Sequence, residues 1–180
     1  MTVPESSKNN AVEVDGIQFE ILVPERELKI PNVESKTKVQ FGIRITNNSP
    51  ISSRFMFFCL SPEIKRENGE LIQRSYARNT TNLPTTSDFL LVHPKESLTV
   101  FINCQLCWRD FQLRLTGYDG TGGVWSLYNL RPGVYSVRFS YKNRSKTGKI
   151  DVGMTPWQFL EPMWTGAVAT PYEEFRIVHR

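Results

Sequence analysis

Cys104-Gln105-Leu106-Cys107 is the stretch whose residue types and spacing come nearest to chemistry. Two thiols separated by two residues exchange disulfides when a helix N-terminus lowers one thiol pKa. They bind zinc when two further ligands join them. Here the pair follows Leu98, Val100 and Ile102, an alternating strand pattern, and residues three apart on a strand point to opposite faces. Only Cys59, His93 and His179 remain as additional ligands. We therefore expect three free thiols acting as small apolar groups, with no metal and no cofactor. His93 and His179 sit in no nucleophile motif, and no G-x-S-x-G occurs. The carboxylates are scattered without an evident pair for acid–base work. No residue is assigned a catalytic role.

Three loop sequences carry the next level of interest: Asn82-Leu83-Pro84-Thr85-Thr86, Gly120-Thr121-Gly122-Gly123 and Arg131-Pro132-Gly133. In that order they resemble the Asn-Pro-Thr-Thr-Gly, Gly-x-Gly-Gly and Arg-Pro-aromatic loops of chagasin-like cysteine protease inhibitors. Leu83 is an insertion relative to that pattern, and Arg131-Pro132 precedes its strand where the family's motif follows one. The resemblance implies protease inhibition through sandwich loops. The residues alone imply tight turns, which glycine permits. The Gly120–Gly123 run is no phosphate cradle, because neither a helix nor Lys-Ser/Thr follows it. Of Trp108, Trp125, Trp157 and Trp164, the two in the irregular tail, Trp157 and Trp164, are the candidates for a surface role. The other reading of that tail is a plug over one open end of the fold. The candidate binding residues are Pro84, Thr85, Gly120, Gly122, Gly123, Trp157 and Trp164.

The elements that would position these residues are strands. Ile17, Phe19, Ile21 and Val23 alternate with partners of mostly polar character; so do Val39, Phe41, Ile43 and Ile45. Leu98, Val100, Ile102 and Cys104 resume the period, with Phe101 breaking the polar side, and Trp125 and Leu127 follow. The cleanest row is Tyr135, Val137, Phe139 and Tyr141 after the Pro132-Gly133 turn. Phe175 and Ile177 make a final strand. "FMFFCL", Phe55 to Leu60, is apolar without alternation and reads as one strand covered on both faces. Asn68-Gly69 reads as a two-residue hairpin turn with both residues at positive φ. Residues 74–88 read as a long polar surface loop, and residues 150–171 as an irregular tail. Within that tail, Thr155-Pro156-Trp157-Gln158 fits a capping box and a helix that Pro162 would stop.

Many short strands separated by turns, with no sustained helical period, argue an all-β fold: an immunoglobulin-like antiparallel β-sandwich with a short helix or irregular segment before the last strand. "ITNNSP", "SPEIKRENGELI", "LRPGVYSVRFSY" and "MWTGAVATPYEEFRI" together resemble a prokaryotic immunoglobulin-like β-sandwich family, over about two thirds of the chain. "PGVYSVRFSY" is also similar to the last strand of the bacterial intracellular proteinase inhibitors. These motifs imply a fold and no activity. Residues 1–14 read as a disordered or frayed N-terminus and residues 15–180 as a single sandwich domain.

The 180 residues carry 22 basic and 18 acidic side chains, a net charge of +4. That tilt is too small to argue nucleic-acid or membrane binding, which needs charge concentrated on one face, so neither a nucleic-acid nor a membrane partner is expected. No apolar run is long enough to span a bilayer, and the start lacks a signal-peptide pattern, so the expected location is cytoplasmic. The expected function is a non-catalytic binding or interaction module with an unidentified partner, of protein character. A cysteine protease inhibitor is the alternative, and an enzyme of unknown class the second.

Overall fold

The computed structural model describes residues 10–57, 60–78, 84–119, 122–150 and 158–179. Among them are sixteen strands, numbered β1–β16 in chain order, one turn of 3₁₀ helix at Thr86–Asp88 and no α-helix. No helix among the described residues is long and apolar enough to cross a membrane.

One antiparallel sheet runs in the order β1 (Ala11–Val14), β2 (Ile17–Leu22), β4 (Lys36–Asn47), β9 (Ser97–Arg109), β10 (Gln112–Tyr118), β11 (Gly123–Leu127) and β7 (Arg74–Arg78). The second is built around β12 (Gly133–Asn143). β6 (Leu60–Arg66) pairs along one edge of β12. The other edge is shared by β16 (Glu173–Val178) and β15 (Gly166–Ala169). β3 (Glu27–Lys29) runs parallel to β16. Two small pairs flank these sheets: β5 (Ser53–Met56) with β8 (Phe89–Val92), and β13 (Gly148–Ile150) with β14 (Gln158–Leu160).

The alternating rows make this arrangement. Ile17, Phe19 and Ile21, then Val39, Phe41, Ile43 and Ile45, are all buried, and they face Tyr135, Val137, Phe139, Tyr141, Phe175 and Ile177 from the second sheet. Each such side chain stabilises the fold by about 1.5–3 kcal/mol when fully removed from water. The strand order is immunoglobulin-like. β2, β4 and β9 hold the A, B and E positions, and β6, β12 and β16 the C, F and G positions. The chain changes sheets at Pro24, whose missing N–H suits a strand break, and β3 then lies against the last strand. Near the start of β12, the Tyr135 hydroxyl donates to the Arg131 carbonyl at 2.8 Å and accepts the Arg131 N–H at 3.0 Å. That is the tyrosine corner of this fold type, and it closes the Arg131-Pro132 turn.

Several sequence expectations need correction. "FMFFCL" is not one strand. Phe55 and Met56 end β5, whereas Leu60 opens β6 in another sheet; both Phe55 and Leu60 reach the same core, and residues 58–59 lie outside the described residues. The Asn68-Gly69 hairpin turns over more residues than two. The Gly69 N–H bonds the Arg66 carbonyl, and the Arg66 N–H the Glu70 carbonyl, both at 2.9 Å. Only Gly69 has positive φ (+85°), so this is a type I turn with a glycine bulge. The 74–88 segment is not all loop: β7 pairs with β11 as an edge strand, and no apolar face marks it because all five residues are exposed. Pairing begins at Ala11, inside the segment expected to fray. Among the described residues no helix lies between β13 and the last strand: Gln158–Leu160 is β14, and residues 155–157 of the expected capping box lie outside them.

Candidate functional site

The D position beside β9 is filled in an unusual way. β4 covers β9 from Ser97 to Cys107. On the other side β10, which follows β9 in the chain, reaches only from Arg109 back to Cys104. Residues 97–103 of β9 have no strand on that side among the described residues. The local sequence explains the stop. After Tyr118 the Asp119 N–H donates to the Gly123 carbonyl at 3.0 Å, and the Asp119 carboxylate accepts the Gly123 N–H at 2.8 Å, turning the chain into β11.

Burial records the missing neighbour. Leu98, Val100 and Ile102 point inward in the same row as Cys104 and Leu106. The latter two are buried, whereas the first three are only half-buried. A cavity of about 390 Å³ opens there, walled by Phe57, Leu60, Val100, Ile102 and Trp125, with Phe101 and Tyr118 exposed beside its mouth. A second hollow, of about 460 Å³, shares Asn103 and Tyr118 with the first and is lined by Glu25, Lys38, Gln40 and Gln105. The result is an open strand edge with an apolar cavity on one side and a polar hollow adjoining it. The inward row of β9 continues unchanged through the point where β10 ends; the sequence departs from the pattern there only on the outward row, where Phe101 stands among polar residues.

The sequence candidates fall partly at this edge. Gly122 and Gly123 belong to the β10–β11 turn next to Asp119, which lines the cavity. A Cβ at Gly123 would run into the Asp119 carboxylate and the Tyr76 hydroxyl. The Tyr76 hydroxyl donates to Asp119 at 2.5 Å, and this hydrogen bond, with burial and the carboxylate's charge, pushes the Tyr76 pKa above the ordinary tyrosine value. Gly120 and Trp157 lie outside the described residues. Pro84 and Thr85 lead into the 3₁₀ turn, where both the N–H and the hydroxyl of Thr85 are taken by Asp88 at 2.7 and 2.9 Å. The structure does not gather the three inhibitor-like loops. Gly123 pairs with Arg78 at one end of β11, whereas the Arg131 turn follows Leu127 at the other.

Trp164 requires the plainest correction. It is 6% exposed, with ring centroids 5.2 Å from Phe19 and 5.7 Å from Tyr141. The tail is laid back along β5, the Trp164 backbone N–H donating to the Arg54 carbonyl at 3.0 Å, and the indole enters the core. Lack of alternation hid this, since a single inserted side chain leaves no period.

The remaining reactive groups are occupied or dispersed. Cys104 is buried and Cys107 half-buried on the opposite face of β9; burial pushes the Cys104 thiol up to about 12. Cys59 lies outside the described residues. Burial acts to raise Glu63, but hydrogen bonds from Ser140 and Arg138 hold it below the usual carboxylate range. Arg138 grips one carboxylate oxygen through two nitrogens, at 2.9 and 2.7 Å, and lies over the Tyr172 ring. This is an ion pair on the outer face of the sheet. The Ser52 hydroxyl and His93 Nδ1 are 2.9 Å apart and exposed, and no carboxylate meets the other ring nitrogen among the described residues. Among those residues no three His, Cys, Asp or Glu side chains are grouped to hold a metal.

No family model matches the chain, and no curated protein matches it in sequence. Five solved chains match in structure. One is the ASH / PapD-like domain of human CEP192 (PapD-like domain 7), at 9% identity and a TM-score of 0.26, over 100% of this chain and 92% of that one.

Proposed function

We propose that this chain is a non-catalytic binding module that takes an extended segment of a partner protein as an added strand along residues 97–103 of β9. The single observation that carries the reading is the half-buried inward row Leu98, Val100 and Ile102 beside an open edge and a cavity. An unpaired edge offers backbone N–H and C=O groups that only another strand satisfies in register. Seven residues span about 20 Å, the length of an ordinary strand. Alternate side chains of the incoming segment would enter the apolar cavity, and the others would face the polar hollow. Affinity then comes from the backbone and specificity from the pockets. A cytoplasmic setting belongs to the same reading, because it keeps thiols such as Cys104 and Cys107 reduced.

Selection of displayed random peptides against the full chain tests this. Bound peptides are expected to alternate apolar and polar residues and to lose binding to Val100→Arg, with the melting temperature tracked alongside. Peptides that bind equally well to a folded Val100→Arg variant would exclude the groove as the site.

A further inference from the structure

Three large apolar side chains stand out from the surface at the end of the sandwich away from the open β9 edge. Phe111 is 100% exposed, Val33 75% and Leu71 59%. They belong to three loops: the β9–β10 hairpin tip, the β3–β4 connection and the residues after the β6 turn. The fold draws these loops together. Trp108, next to the tip, donates its indole N–H to the Pro31 carbonyl at 2.9 Å, and Leu71 and Gln112 line one hollow. Phe111 also holds φ at +60° beside Asp110 at +52°. That turn favours Asn and Gly, and a bulky aromatic adopts it under strain. Neither the exposure nor the strain serves packing, and strain kept without packing benefit marks a functional position.

The charge around the tips is mainly positive. Lys29, Lys36, Arg109 and Arg131 are exposed and have no ion-pair partner among the described residues. Of the acids at this end, Asp110 is paired with Arg114 at 2.9 Å and Glu70 with Arg66 at 3.4 Å, leaving Glu34 and Glu67. We propose that this end of the sandwich docks on an anionic lipid surface. The three apolar tips enter the headgroup region, and the four cations lie against lipid phosphates and carboxylates. Separate tips divided by polar loop residues fit between headgroups, whereas a protein interface needs a contiguous apolar centre. The docked chain keeps its β9 edge directed away from the membrane, so this proposal stands independently of the peptide-binding reading.

Co-sedimentation of the full chain with vesicles tests it, using phosphatidylcholine alone and phosphatidylcholine mixed with phosphatidylserine. The chain is expected to sediment with the mixed vesicles only. Phe111→Asp is expected to weaken binding by about tenfold or more, by replacing an inserted ring with a charge. Lys36→Gln and Arg109→Gln are each expected to weaken it roughly fivefold. Asp adopts the left-handed conformation more readily than Phe, so Phe111→Asp is expected to melt no lower than the wild type, and the loss of binding reports the surface. Failure of the wild type to sediment with mixed vesicles, equal sedimentation with neutral ones, or full binding by Phe111→Asp would overturn the proposal. So would a soluble protein that binds through Phe111 while the vesicles leave the chain in solution.

Discussion

The Tyr76 hydroxyl, on edge strand β7, donates a 2.5 Å hydrogen bond to Asp119, the residue whose carboxylate also accepts the Gly123 N–H at 2.8 Å. One carboxylate thus ties the last strand of the sheet to the turn that ends β10. Where β10 ends decides how much of β9 stays open. The latch is therefore part of the groove's construction, and Gly123 is required because a side chain there would displace it.

Tyr76 is expected to ionise above the ordinary tyrosine range in the native chain and to return toward it in Asp119→Asn. The folded state favours the protonated phenol. Its contribution to stability is therefore complete below the unfolded tyrosine pKa and is lost as pH rises through the higher folded value. Spectrophotometric titration of wild type and Asp119→Asn measures the shift. An unchanged Tyr76 titration in the variant would mean that the hydrogen bond has no weight in solution.

Cys107 is expected to react with a thiol reagent at neutral pH in the native chain, while Cys104 stays unmodified until unfolding. Burial holds the Cys104 thiol near 12, so almost no thiolate forms, and the side chain lies inside the core. Peptide mapping after alkylation reads both sites at once. Equal labelling of the two cysteines in the native protein would contradict the burial of Cys104.

Trp164→Ala and Phe139→Ala are each expected to cost about 3–5 kcal/mol, the usual loss for a buried aromatic. Phe159, exposed in the same tail, is expected to tolerate alanine within about 0.5 kcal/mol. Denaturant unfolding of the three variants separates core from surface. A neutral Trp164→Ala would return Trp164 to the surface role that its irregular sequence context suggested.

Much of this fold can be read from alternation alone. Ile17 to Ile21, Val39 to Ile45 and Tyr135 to Tyr141 each bury every second residue, as their patterns require. What alternation cannot show is pairing. β7 lies exposed on both faces, so "RSYAR" carries no hydrophobic period although it forms a strand. The apolar run at Phe55–Leu60 hides a change of sheet. The open edge leaves no mark on the inward row of β9, which continues unchanged past the end of its neighbour. Gly122 and Gly123 were legible as a turn, but their place beside a groove depends on Tyr76, some 45 residues earlier in the chain. A net charge of +4 likewise says nothing about which cations share one end of the sandwich.

Phe111→Asn is expected to raise stability by about 1 kcal/mol, because Asn accepts a left-handed turn position that an aromatic resists. Thermal melts of the two proteins measure it. A loss of stability would show that the Phe111 ring packs on the chain in solution, against its complete exposure here.

Amide hydrogen exchange along β9 tests the central claim most directly. In the free chain, amides of residues 104–107, held between β4 and β10, are expected to exchange slowly. Those of residues 97–103 that face away from β4 are expected to exchange much faster, and a bound peptide is expected to bring them to the protection of their neighbours. Uniform slow exchange across residues 97–107 in the free chain, or no added protection on peptide binding, would contradict an open β9 edge as the binding site.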